Sequence, residues 1–97
     1  MYLISYDISE DKIRTRLANR LVAEGYIRMQ LSVFIGSKNP MRTAGLGTDI
    51  KSWIKQDVNA RFMVVSIPAE NLKTAFILGV LDDELEALIF EKTCIFV

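Results

Sequence analysis

The first eight residues, Met-Tyr-Leu-Ile-Ser-Tyr-Asp-Ile, are aromatic and β-branched without a helix breaker, and both of their alternating faces are largely apolar. This pattern predicts a buried strand from residue 1 or 2. Ser9 then offers a hydroxyl to cap a helix, while Glu10 and Asp11 complement the positive end of its dipole. Ile13, Leu17 and Leu21 recur at helical spacing, Ala18 and Val22 widen the stripe, and Gly25 supplies a left-handed residue to stop the helix. From Tyr26 to Ile35 strict alternation places Ile27, Met29, Leu31, Val33 and Ile35 on one face and Arg28, Gln30, Ser32 and Phe34 on the other, predicting one long strand stopped by Gly36.

Between Ser37 and Gly47 the pattern weakens. Asn39-Pro40 reads as a helix start, but Gly45 and Gly47 oppose a helix, so a mobile loop or an irregular first turn is expected. Thr48 and Asp49 start a short helix with Ile50, Trp53 and Ile54 on one face, ending near Val58 and Asn59. Arg61 to Ile67 predicts a third buried strand, broken by Pro68. Ala69 to Lys73 form a turn or single helical turn, and Ala75 to Leu78 a fourth strand ended by Gly79. Leu81, Leu85 and Leu88 keep helical spacing across the acidic run Asp82 to Glu86, and Thr93 to Val97 predict a final strand.

This order predicts an α+β, ferredoxin-like βαββαβ sandwich with an extra C-terminal strand. Two helices cover one face of a four-stranded sheet. The first and third strands are nevertheless apolar on both faces, and Phe34 stands on the polar side of the second, so the other face needs a cover. Each bulky apolar side chain is worth about 1.5–3 kcal/mol when buried. A second copy, pairing sheet to sheet about a two-fold axis, is the simplest cover, and a homodimer is expected.

Length adds that 97 residues make one small domain. Hydrophobic residues are 51% and charged residues 25% of the chain, which suits a globular protein with apolar surface to spare. No apolar run reaches the ~18 residues that cross a bilayer, and the basic start and cleavage site of a signal peptide are missing, so no membrane association and a cytoplasmic location are expected. The single cysteine, Cys94, reads as a packed core thiol.

The formal net charge is zero, which argues against a protein that coats nucleic acid. The N-terminal part is nonetheless basic, with Lys12, Arg14, Arg16, Arg20, Arg28, Lys38 and Arg42 against Asp7, Glu10, Asp11 and Glu24. This end either attracts phosphates or is a solvated basic face. The absence of histidine excludes His-based triads, His metal sites and imidazole acid–base chemistry. Gly45-Leu46-Gly47 lacks the Lys-Ser/Thr ending of a phosphate-binding loop.

Asp7, a carboxylate near the end of an apolar strand, has two readings. It caps the turn and favours the helix that follows, or it binds a hard divalent cation such as Mg²⁺ or Mn²⁺. A dimer axis near Asp7 would bring two carboxylates together. At about 4 Å and an effective dielectric near 20 they repel by roughly 4 kcal/mol, so the pair binds a cation or shares a proton. Such a cation lowers the pKa of bound water and polarises a phosphodiester. Arg14, Arg16 and Arg28 each suit either a phosphate or a surface ion pair, and Phe34 either an interface core or a base-stacking platform.

Tyr6-Asp7-Ile8, Asp11 with Arg14 and Arg16, Leu17 to Leu21, Gly25, and Arg28-x-Gln30-x-Ser32-Val33-Phe34-x-Gly36 closely resemble the small CRISPR-associated spacer-acquisition family. The likeness continues more loosely through Arg61 to Pro68, Phe76 to Gly79 and Glu91 to Phe96. Members are the non-integrase partner of the adaptation complex, and many carry the name endoribonuclease. The resemblance implies a single ferredoxin-like domain over residues 1–97, with residues 80–97 as an extension whose last strand crosses to the partner's sheet. It implies a CRISPR-associated integrase, double-stranded DNA and single-stranded RNA as partners. Asp7 matches the metal ligand and catalytic acid, and Tyr6, Arg14, Arg16, Arg28 and Phe34 match positions associated with nuclease activity. The segment Ser37 to Gly47 departs from the family's usual second helix. A VapD-type toxin ribonuclease, from a neighbouring branch of similar fold, is the alternative.

Overall fold

The computed structural model describes residues 1–74. Strand β1 (Tyr2–Asp7) leads into helix α1 (Asp11–Ala23), which Gly25 stops at a φ of +94°. Strands β2 (Ile27–Gln30) and β3 (Val33–Gly36) follow, then a 3₁₀ turn (Pro40–Arg42), helix α2 (Leu46–Ile54), strand β4 (Arg61–Ser66) and a 3₁₀ segment (Ala69–Thr74). The sheet order is β2-β3-β1-β4 with every pair antiparallel. Each helix therefore connects two parallel strands with a third between them, the split βαβ topology of the ferredoxin-like fold. The expected strands at Ala75–Leu78 and Thr93–Val97, the helix of the acidic run, and Cys94 lie outside the described residues.

The long strand expected from Tyr26 to Ile35 is instead a hairpin, which supplies two of the four strands of the described sheet. The chain turns at Leu31-Ser32, and the ladder is irregular between Arg28 and Gln30. No glycine or Asn-Gly marks the turn. Tertiary bonds brace it: the Arg28 guanidinium donates to the Leu31 carbonyl from Nη2 (2.7 Å) and Nε (3.1 Å), and the Tyr6 amide donates to Ser32 O at 3.1 Å.

Register also corrects which face the helices cover. Ile4 pairs with Phe34 and Val64, and Tyr6 with Phe62, so these side chains share one face. That face packs with Ile13, Leu17, Leu21, Leu46 and Ile50 of the helices into the main core. Phe34, expected on the uncovered side, is fully buried beneath the helices. The other face carries Leu3, Ser5, Asp7, Ile27, Val33, Ile35, Arg61, Met63 and Val65. There Ile35 is buried and Leu3, Ile27 and Val33 are half-buried, while Met63 is 53% and Val65 37% exposed.

Ser37 to Gly47 is more ordered than a loop. Asn39 Oδ1 accepts the Met41 amide at 3.0 Å, and the Thr43 hydroxyl donates to Asn39 O at 2.9 Å. Helix α2 starts two residues before the expected Thr48 because Gly47 lies so close to the 3₁₀ turn that a Cβ would come within 2.7 Å of Met41 O. The glycine that opposes a helix in isolation is what lets this one pack.

Candidate functional site

Of the six residues singled out from sequence, strand alternation divides Tyr6, Asp7, Arg28 and Phe34 between two faces of the sheet, while Arg14 and Arg16 lie on α1. Tyr6, Phe34 and Arg28 come together on the helix side, where Arg28 pairs with Phe34 across β2 and β3. The Tyr6 and Phe34 rings stack with centroids 6.2 Å apart at 18°, and the Arg28 guanidinium lies over the Phe34 ring at 5.2 Å. Tyr6 is 5% exposed, and its hydroxyl is buried without a hydrogen-bond partner among the described residues. Burial pushes the phenol above its ordinary pKa, against the opposing pull of the Arg28 charge and, more weakly, of Arg14.

Arg14 secures the neighbouring turn, donating from Nη1 to Ile8 O at 3.0 Å and pairing with Asp11. Arg16 is remote from this group, set over the Trp53 ring at 5.9 Å. It joins Asp11, Lys12, Thr15 and Asn19 along a shallow groove on α1. Arg20 spans Trp53, Glu24 (2.9 Å) and Asp49 (2.6 Å), tying α1 to α2.

Asp7 stands apart from all of these. It is exposed at the end of β1 on the sheet face opposite α1 and α2, across from Arg61 in register, and makes no ion pair among the described residues. The described residues hold no group of three or more acidic or cysteine side chains placed to bind a metal. One protomer would thus offer a cation a single carboxylate at this strand end. This fits Mg²⁺ or Mn²⁺, which keep several waters and take one or two carboxylates, when a second copy brings the other.

Sequence reasoning missed Asp57. Its Oδ2 accepts the Ser9 amide and hydroxyl, each at 3.1 Å, and the Glu10 amide at 3.2 Å, while Oδ1 accepts the Asn59 amide at 3.0 Å. Ser9, expected to cap α1, is therefore a donor to Asp57, and Glu10 is the N-cap, accepting the Lys12 amide at 3.4 Å. A charged acceptor at the positive end of the helix outcompetes the serine hydroxyl. Asp57-x-Asn59 before a strand was the available signal, since aspartate bonds the backbone two residues on.

The Asn59 amide is the largest influence holding the Asp57 carboxyl below its ordinary pKa, with Glu10 and Ser9 adding to it against partial desolvation. A carboxylate whose pKa falls on folding stabilises above its unfolded value of about 3.9 and ceases to as pH drops through the folded value. The stability difference between the native chain and Asp57→Asn, measured by urea unfolding, is expected to be full at pH 7, to shrink below about pH 4 and to vanish in stronger acid.

Among the described residues no helix is long and apolar enough to cross a membrane. Residues 1–75 match the family described as CRISPR associated protein Cas2. The chain is 35% identical over 80 residues to "CRISPR-associated endoribonuclease Cas2 2" of Pyrobaculum aerophilum, covering 81% of this chain and 87% of that protein. It is 32% identical over 77 residues to "CRISPR-associated endoribonuclease Cas2" of Aeropyrum pernix, covering 79% and 83%. A relative of similar name in Archaeoglobus fulgidus is 34% identical over 64 residues, 66% of this chain and 68% of that protein. The VapD-type alternative is not favoured by these matches. With matches of this extent on a ferredoxin-like strand order, the chain belongs to the CRISPR associated protein Cas2 family.

Proposed function

We propose that two copies of this chain pair through the sheet face opposite α1 and α2 and act in CRISPR adaptation as a DNA-binding scaffold for spacer acquisition, in company with a CRISPR-associated integrase. The observation that carries this reading is the apolar character of that face, above all exposed Met63 and Val65 on β4 beside Leu3 and Val33. A second copy removes this surface from water, as the commonest kind of homo-oligomer contact does. The zero net charge suits a scaffold that shares its phosphate contacts with a partner more than a protein that grips nucleic acid alone.

A second reading, metal-dependent cleavage of RNA or duplex DNA, is favoured by exposed Asp7 on that same face and accords with the endoribonuclease names of the relatives. The Asp7 carboxylates of two copies would hold Mg²⁺ or Mn²⁺, and such an ion supplies a water of lowered pKa and a polarised phosphodiester. Both readings require the dimer.

Met63→Asp tests it. The position is exposed in the protomer, so the substitution leaves the fold intact while placing two unpaired carboxylates in the dimer contact. Light scattering is expected to give a dimer for the native chain at micromolar concentration and a monomer for the variant, which also loses spacer integration. A native chain that is monomeric under these conditions removes the proposal.

A further inference from the structure

We infer that Asp57 is a positioning residue for Asp7, an inference that rests on the reading of Asp7 as a metal ligand. Asp7 makes no ion pair among the described residues, so its place is set by the backbone around it. Two stretches of chain flank it: the exit of β1 through Ile8, Ser9 and Glu10, and the entry to β4 through Asn59 and Ala60 to Arg61, its register partner.

Asp57 ties both stretches with one carboxylate. Oδ2 takes the amides of Ser9 and Glu10 and the Ser9 hydroxyl, and Oδ1 takes the Asn59 amide. Its own carbonyl accepts the Ala60 amide at 3.0 Å, which fixes the approach to β4. Ile8 between them is 3% exposed in the core, with its carbonyl held by Arg14. Asp7 thus projects from a strand end clamped two residues downstream and braced across the sheet. Two carboxylates meeting about a symmetry axis need that rigidity, since each displacement of the strand end is doubled across the pair and ligand placement is set by the groups behind the ligand.

A purely structural cap would lower stability alone, so the test measures metal binding separately from folding. Mn²⁺ affinity of the full-length chain is read by electron paramagnetic resonance. The kcat and KM for Mn²⁺-dependent RNA cleavage and the urea midpoint are measured in parallel for the native chain, Asp57→Ala, Asp57→Asn and Asp7→Asn. Asp57→Ala is expected to weaken Mn²⁺ binding and lower kcat by about 10-fold each with KM for RNA little changed. Asp57→Asn keeps one acceptor oxygen and can tie only one of the two stretches, its amide NH2 facing the donors of the other, so an intermediate loss of about 3-fold is expected.

Folded Asp57 variants with native Mn²⁺ affinity overturn the inference while leaving Asp7 as ligand, provided Asp7→Asn abolishes binding. Native Mn²⁺ affinity in Asp7→Asn overturns the reading of Asp7 and the inference together. If Asp57→Ala does not fold, Asp57→Asn decides: weakened binding in the folded protein supports the inference and native binding overturns it.

Discussion

Asp7→Asn is expected to abolish metal-dependent cleavage of RNA and of duplex DNA, by about 100-fold or more, while leaving spacer integration intact. Asparagine matches aspartate in shape but is neutral, and a hard cation held by so few protein ligands depends on carboxylate charge. The fold has no stake in the change. Asp7 is exposed at a strand end, and the core side chains Ile4 and Tyr6 of the same strand point to the opposite face. Circular dichroism and the urea midpoint should match the native chain, so loss of cleavage reports on chemistry. Integration assayed with the integrase present then separates the two readings. Its survival makes the dimer's surface the working part and the metal site dispensable, whereas its loss with the fold preserved makes the metal site essential. Unchanged cleavage removes Asp7 from the ligand role.

The placement of α1, β1 and β4 along the chain was legible because it follows from side-chain periodicity. Ile13, Leu17 and Leu21 mark the buried face of α1, and the alternation of β1 and β4 marks strands wherever they pair. What alternation lacks is a turn marker and a sense of which face is covered. The Leu31-Ser32 turn is held by Arg28 and by β1, partners invisible in local sequence, so an apolar pattern running through it reads as one strand. The same pattern groups Ile27, Val33 and Ile35 correctly, yet only pairing with β1 shows that Phe34, on the other side, is the one facing the helices. Resemblance names Tyr6 and Asp7 as neighbours in a motif. The pleat separates them, placing one in the core and the other on the opposite face of the sheet. Asp57 was hidden for a related reason, because its partners Ser9 and Glu10 are 48 and 47 residues away.

Phe34→Ala is expected to destabilise the protein by about 3–5 kcal/mol, a large share of the 5–15 kcal/mol that usually holds a domain together. The ring is fully buried, stacked on Tyr6 and paired with Ile4, and its removal leaves a cavity where β1, β3 and the helices meet. It also strips Arg28 of the aromatic face beneath its guanidinium. Phe34→Leu refills much of that volume and should cost distinctly less. Urea unfolding of the three proteins checks the order native, Leu, Ala. Because a buried ring does not reach substrate, cleavage normalised to the folded fraction should fall far less in Phe34→Leu than in Asp7→Asn. A Phe34→Ala protein as stable as the native chain would mean that the ring is not packed beneath the helices, and with it would go the register that sets Asp7 on the opposite face.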